Sequence, residues 1–292
     1  MFKVVNKQLL NQNIKRLDIA APQIANKFLP GQFVMLTPIA GSHPIPLTIV
    51  EADNRKGTIS LIVHEEGETT GQIGALSINQ EIPLILGPLG VPAVIQKFGL
   101  VVCVANGIGA AQMLSICRAL KKAGNKVIGI LGAKTKRAMM LESQMRVVCD
   151  EIYVTTNDGS YERRALASEF LKTFLDKQTV DCVYAAGSVD MMEAAALMTK
   201  EKNIPIFVTL NPVMLDAYGL SGSCRVKLGG EIRFASIDGP HFDGHQVDFD
   251  YLSVRMDAFK EMDEWGNLKQ SNSPKTEESK TLPKFLSGIL KR

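Results

Sequence analysis

The sequence has no apolar run approaching the roughly 20 residues that a membrane-spanning helix needs, and its opening MFKVVNKQLL lacks the apolar core of a secretion signal. Those absences lead to the expectation of a cytoplasmic chain with no membrane partner. Cysteines are few, odd in number and widely spaced: Cys103, Cys117, Cys149, Cys182 and Cys224. That pattern argues against a disulfide framework and makes reduced thiols the default. Cys103 and Cys117 fall in apolar strand and helix patterns, so both read as buried structural thiols. No sign of charge dominates. The formal net charge is +3 with dispersed basic residues, which leaves no electrostatic footprint for nucleic acid or anionic lipid. No internal repeat is visible.

What is present is the pattern of a two-domain globular protein, and 292 residues suffice for two cores. Up to about residue 98 the chain offers short alternating runs, GQFVMLTPI, GTISLIVHEE and QEIPLILGPLG, separated by Gly, Pro and Asn. These predict a small β-barrel. From Leu100 the pattern changes to buried apolar strands (LVVCVA, KVIGILGA, EIYVTT, DCVYAAG, IPIFVTL) alternating with amphipathic stretches near 111–123, 166–177 and 189–202. Alternation of this kind predicts a parallel sheet with helices on both faces. Gly124 stands where a left-handed helix cap belongs. After Thr209 periodicity fails in a glycine-rich segment. The chain then turns polar before a short apolar patch, LPKFLSGIL, which reads as a docking element on a linker or as a frayed tail.

The residues with chemical meaning fall on both domains. Pro46-Leu47-Thr48 opens a strand, and Gly67-Glu68-Thr69-Thr70 makes a turn about twenty residues later. A flavin at a barrel edge needs a hydroxyl or amide near N5 and a turn whose N–H groups meet the pyrophosphate, although such fragments also occur in any barrel. The first strand of the second domain runs into Ala105-Asn106-Gly107-Ile108-Gly109 and then a helix, which aims free backbone donors and a helix dipole at a phosphate. Asp158-Gly159-Ser160 and Gly187-Ser188 follow later strands at the same edge, so three loops should converge there. Lys134, Lys136 and Arg137 follow the second strand, where they could meet a ribose 2′-phosphate or simply line a solvated loop. His64 ends a barrel strand and could lie near a flavin. His241 and His245 flank Asp243, which reads as a surface loop rather than a metal site.

Taken in order, PLTI, GETT, GPLG, GIGAA, RALKKAGNKVIGILGAKTK, TNDGSY, LNPVMLDAYG and SIDGPHFDG resemble the small electron-transfer subunit shared by NADH-dependent reduced ferredoxin:NADP oxidoreductase, sulfide dehydrogenase and dihydroorotate dehydrogenase. The resemblance runs from about residue 2 to 258. It implies a ferredoxin-reductase-like fold, an N-terminal antiparallel flavin-binding barrel followed by a parallel-sheet nucleotide-binding α/β domain. The implied organisation is an FAD barrel over 1–98, an NAD(P)-binding domain over 99–210, an iron-sulfur loop over 211–259 and a polar linker and tail over 260–292. It also implies the site residues: Pro46, Leu47, Thr48, Val63, His64, Gly67, Thr69 and Thr70 toward FAD, with Thr48 orienting the flavin for hydride exchange, and Gly107, Ile108, Gly109, Asp158 and Gly187 toward NAD(P).

The chain departs from that family at several positions. Pro44 replaces an arginine, Ala105-Asn106-Gly107 replaces three glycines, Gln112 replaces a proline, Ser188 replaces the proline of a Gly-Pro pair, and Glu162-Arg163-Arg164 replaces glycines. Family spacing would put cluster cysteines at 221, 224 and 236 with an upstream aspartate. The residues are Ser221, Cys224 and Ser236, with Asp216 retained. One thiolate argues against a 2Fe-2S cluster, because serine is a far weaker acid and a harder ligand than cysteine. An unusual oxygen-ligated cluster is the remaining alternative at those four residues. The expected function is a flavin-dependent subunit exchanging hydride with NAD(P)H beside a larger oxidoreductase subunit, glutamate-synthase-like or dihydroorotate-dehydrogenase-like. The alternative is a non-catalytic structural or regulatory subunit.

Overall fold

A computed structural model describes residues 2–258; the expected polar linker and LPKFLSGIL lie outside the described residues. The first half is a nearly closed antiparallel barrel of β1 (Phe2–Asn11), β2 (Ile14–Ala20), β3 (Phe33–Thr37), β4 (Ile45–Asp53), β5 (Thr58–His64), β6 (Glu81–Ile82) and β7 (Leu84–Leu89). Its strand order is β6-β1-β2-β5-β4-β3-β7. Strand alternation sends Leu17, Ile19, Ile59, Leu61 and Val63 into the barrel interior, all fully buried. Ile62 faces the other way and is also buried, because with Ile14 and Val50 it packs on the second domain. That two-sided burial explains why the run ISLIV does not alternate with polar residues. Helix α1 (Pro22–Lys27) follows β2, and α2 (Glu68–Ala75) follows β5, where only a turn was expected.

The second half comprises β8 (Leu100–Asn106), α3 (Gly109–Lys122), β9 (Lys126–Ala133), α4 (Glu142–Val148), β10 (Glu151–Thr156), β11 (Arg163–Arg164), α5 (Ala167–Leu175), β12 (Cys182–Ala186), α6 (Val189–Glu201) and β13 (Ile206–Thr209). Beyond these lie the hairpin β14 (Arg225–Leu228) and β15 (Glu231–Phe234), then β16 (His241–Asp243) and a helical run over 249–258. The sheet order is β11-β10-β9-β8-β12-β13-β16, parallel throughout except for β16. Val101, Val102, Cys103, Val104 and Ala105 of β8 are all fully buried, as a central parallel strand with covered faces requires. Helix α3 carries Lys121 and Lys122 in its last turn, and Gly124 follows at φ 87°, a left-handed cap. Helix α4 escaped sequence reading because it is short and has no side-chain cap at its start, where Leu141 stands. The residues after Thr209 join the second core: Met214, Cys224, Val226, Ala235, Phe242 and Leu252 pack with α5 and α6.

A glycine of the barrel is bonded to the second half at two points. The N–H of Gly31, in the barrel, donates to Ser115 Oγ of α3 at 3.2 Å, and its carbonyl accepts from His241 Nε2 of β16 at 3.0 Å. Because that carbonyl can only accept, Nε2 carries the proton and Nδ1 accepts from the Thr209 hydroxyl at 2.9 Å. Gly31 sits at φ 89°, and a Cβ there would lie 2.1 Å from His241 Nε2. His241 is therefore an interdomain clamp, which corrects the surface-loop reading. His245 turns away to Thr199 Oγ1 at 3.0 Å, so the two histidines do not converge.

Candidate functional site

In the second sheet β9 lies on one side of β8 and β12 on the other, so chain direction switches at the β8/β12 pair and opens a crevice beyond their C-terminal ends. A cleft of about 1050 Å³ occupies that position. Gly107, Ile108, Gly187 and Ser188 line it, joined by Lys134, Thr135 and Arg137 after β9, Asn157 after β10, and His64 and Glu66 from the barrel. Gly107 has φ 53° and open space where a Cβ would project, leaving its backbone accessible. Gly109 has the opposite need: a Cβ there would lie 2.1 Å from the Ala186 carbonyl, so glycine lets α3 start directly against β12. Asp158 is outside the cleft wall. Its Oδ1 accepts from the N–H and hydroxyl of Ser160 at 2.9 and 2.7 Å, and those bonds lower its pKa.

Sequence reading saw Asn106 and Ser188 as two separate losses. In the structure they are partners. Asn106 Nδ2 donates to Ser188 Oγ at 2.9 Å, and Asn106 Oδ1 accepts the Ser188 N–H at 2.8 Å. The amide crosses over Gly187, whose missing Cβ would fall 1.8 Å from Asn106 Oδ1. The pair fastens the β8 and β12 loops at the floor of the cleft. A signal existed in the sequence, since an amide and a hydroxyl appeared together at two positions expected to face each other.

On the barrel side, Pro46, Leu47 and Thr48 lie half-buried on β4, with Thr48 opposite Phe33 of β3. The Thr48 hydroxyl makes no hydrogen bond among the described residues, so it is available. Val63 is turned into the barrel core, while His64, one residue on, reaches the cleft with Nδ1 3.1 Å from Glu66 Oε1. Gly67 caps α2, and the first-turn amides of such a helix have no intrahelical acceptor. Thr70 closes that turn: its Oγ1 accepts from the N–H of Glu66 at 3.1 Å and of Gly67 at 2.9 Å, and donates to the Gly67 carbonyl at 3.0 Å. Thr69 retains a hydroxyl with no partner among the described residues.

The segment after Thr209 brings Asp216, Ser221, Cys224 and Ser236 into one region as two small networks. Asp216 accepts the N–H groups of Tyr218, Leu220 and Ser221 at 2.8, 3.1 and 2.8 Å. Desolvation raises its pKa, but the bonds from Ser221 and the loop amides outweigh it and hold the carboxyl at about 2. Ser221 Oγ lies 2.9 Å from Ser223 Oγ, which accepts the Leu215 N–H at 3.2 Å. Separately, buried Cys224 Sγ lies 3.1 Å from Ser236 Oγ.

Comparison with known proteins draws these features together. No family model matches the sequence. An uncharacterized protein of the adh 3′ region of Clostridium beijerinckii is 37% identical over 269 residues, covering 89% of this chain and 91% of that protein. The dihydroorotate dehydrogenase B (NAD(+)) electron transfer subunit homolog of Thermotoga maritima is 32% identical over 261 residues, covering 89% and 92%. The chain belongs to this electron-transfer subunit family. The solved structure of the NADH-dependent reduced ferredoxin-NADP oxidoreductase, described for flavin-based electron bifurcation, superimposes with a TM-score of 0.85 at 30% identity, over 93% of this chain and 98% of that one. A ferredoxin NADP+ reductase from Neisseria gonorrhoeae, with bound FAD and NADP, shares the fold at a TM-score of 0.55 and 15% identity.

Two of the groups associated with the electron-transfer subunit fold fit the residues present, and one does not. A flavin finds an unengaged Thr48 hydroxyl, a helix start at Gly67 and open space at Gly67 and Gly71. A dinucleotide finds the open backbone of Gly107 at a helix N-terminus above a cleft of sufficient size. A 2Fe-2S cluster finds one thiol, which together with the serine hydroxyls is engaged in hydrogen bonds.

Proposed function

We propose that this chain is a flavin-dependent electron-transfer subunit that binds FAD on its barrel, takes NAD(P)H in the cleft and works with a larger oxidoreductase subunit. The observation that carries the reading is the cleft itself, where barrel and sheet edge meet with His64 and Glu66 opposite Gly107 and Gly187. Bound FAD would supply hydride acceptance and one-electron release. Thr48 would offer its free hydroxyl to the flavin, and the start of α2 would offer amides to phosphate. Gly107 and Ile108 present the start of α3 to the pyrophosphate of the nucleotide. The Gly31–His241 clamp fixes the spacing of barrel and sheet, so donor and acceptor sites keep one geometry.

Partner binding is supported by Leu215, Tyr218, Leu220 and Ile237, large apolar side chains left exposed around the loop closed by Asp216. The relatives in this family are named as electron transfer subunits, which implies a second subunit. Electrons leave this chain without a 2Fe-2S relay, so the partner's acceptor must approach the flavin closely. The test is purification with added FAD followed by anaerobic NADH and NADPH: bleaching of the flavin absorbance is expected, and a colourless protein that binds no FAD refutes the reading.

A second reading, a non-catalytic structural or regulatory subunit, draws on the Asn106–Ser188 bridge over the cleft floor. Co-purification with a large subunit and no diaphorase activity would favour it.

A further inference from the structure

We propose that residues 282–290 of this same chain, LPKFLSGIL, cover the apolar patch around the Asp216 loop until a partner displaces them. The displacement rests on the partner reading given above; the cover itself does not. The patch is one surface rather than four scattered side chains. Asp216 gathers the N–H groups of Tyr218, Leu220 and Ser221, and a Cβ at Gly219 would lie 3.2 Å from Ile237 Cδ1. Leu215 joins the same loop through its N–H, which donates to Ser223 Oγ at 3.2 Å. Tyr218 is 62% exposed and Leu220 87%, so apolar groups that could have turned inward meet water together.

The described residues end against this loop. Arg255 Nη2, in the helical run 249–258, donates to the carbonyls of Gly222 and Ser223 at 3.1 and 3.0 Å, and Ala258 follows within one helical turn. Residues 259–281 then separate Ala258 from Leu282, a stretch that spans at most roughly 80 Å and so reaches any point of the patch. The segment's own spacing says what it needs. Leu282, Phe285, Leu286, Ile289 and Leu290 stand at i, i+3, i+4, i+7 and i+8, which places all five on one face of a helix. Thr281 precedes them as a capping residue, and Pro283 falls in the first turn, where a missing N–H is tolerated. A helix this short, with Gly288 inside it, is not stable alone in water, so the face forms against an apolar surface. A tethered segment meets the patch at an effective concentration on the order of 1 mM, which a second copy in dilute solution does not reach. A partner that docks on the patch must therefore displace the segment first.

The experiment is amide hydrogen exchange on the full chain, comparing the parent with a Phe285→Asp, Leu286→Asp double variant. Exchange over residues 215–222 and 234–238 should be at least about tenfold faster in the variant, with the strands of the barrel unchanged. A synthetic peptide of residues 281–292, added to the variant at about 1 mM, should restore the slow exchange. The milder Phe285→Gln, Leu286→Gln pair gives the same reading if the aspartate variant does not fold. Equal exchange in parent and variant overturns the inference and leaves the patch open to a larger subunit. Protection in the parent that fades on dilution assigns the cover to a second copy and overturns it as well. No partner is present in the measurement, so either failure leaves the partner reading standing.

Discussion

The cleft edge and the loop after Thr209 both depart from the pattern of the family that the sequence resembles, yet the departures differ in kind. At the edge, Asn106 and Ser188 replace glycine and proline and bond to each other, so the loops keep their relative position above an open cleft. In the loop, Ser221 and Ser236 stand where the resemblance would put cysteines, and both find hydrogen bonds. Backbone donors would do the work at the first site, and they are indifferent to a neighbouring side chain that leaves room. Side-chain sulfur would do the work at the second, and no hydrogen bond substitutes for it. On this account the backbone keeps what it can supply at the cleft, while the loop keeps its path.

The strongest way to break that contrast is to return the sulfur. Ser221→Cys with Ser236→Cys should gain iron, sulfide and visible absorbance on anaerobic reconstitution, where the parent chain is expected to gain none. Failure of the double variant to take up iron would mean that the loop has lost the ligand geometry as well as the ligands. Next in size is Gly109→Ala, whose Cβ would press on the Ala186 carbonyl 2.1 Å away. Overpacking against backbone should lower unfolding free energy by about 3 kcal/mol in denaturant titration. A loss below 1 kcal/mol, on the scale of an ordinary surface change, would show that the contact of α3 with β12 is slack.

The clamp gives a pH prediction. Burial pushes His241 down to about 4, against the raising effect of its bond to Gly31. The folded protein therefore favours neutral His241, whereas the unfolded chain takes up a proton near pH 6.5. Stability from this residue is complete above about pH 6.5 and is lost as pH falls toward 4, by up to about 3 kcal/mol. His241→Gln should be less stable at neutral pH and lack that slope, as thermal melts across this range would show.

The smallest effect concerns Asp216. Its folded pKa of about 2 lies below the ordinary carboxylate value, so its stabilisation is present above about pH 4 and lost as pH falls through 2. Asp216→Asn should cost about 1–2 kcal/mol of loop stability. Faster amide exchange at Tyr218, Leu220 and Ser221 would register it, and unchanged exchange would deny the carboxylate its role.

Much of the architecture was legible because its signals are periodic. Alternation marked the barrel, and buried runs alternating with amphipathic stretches marked the sheet from β8 to β13. The helices α2 and α4 were not legible: the first starts at a Gly-Glu-Thr-Thr that reads equally as a turn, and the second has only seven residues. At the site, Gly107, Gly187 and His64 were placed on the cleft by their positions at strand ends, which topology fixes. The turn bonds of Thr70 and the inward facing of Val63 were not legible, since strand facing and a hydroxyl's choice of partner are set by tertiary contacts. His241 looked like surface because its neighbours Asp243 and His245 are polar; its partner Gly31 is 210 residues away, beyond any local pattern.

The most direct test of the account is the flavin and iron content of anaerobically purified full-length protein. FAD at one equivalent per chain, reducible by NAD(P)H, with neither iron nor acid-labile sulfide, is the result expected of a working cleft beside a loop that offers one thiol. A stoichiometric two-iron signal, or a chain with no affinity for flavin, would contradict it.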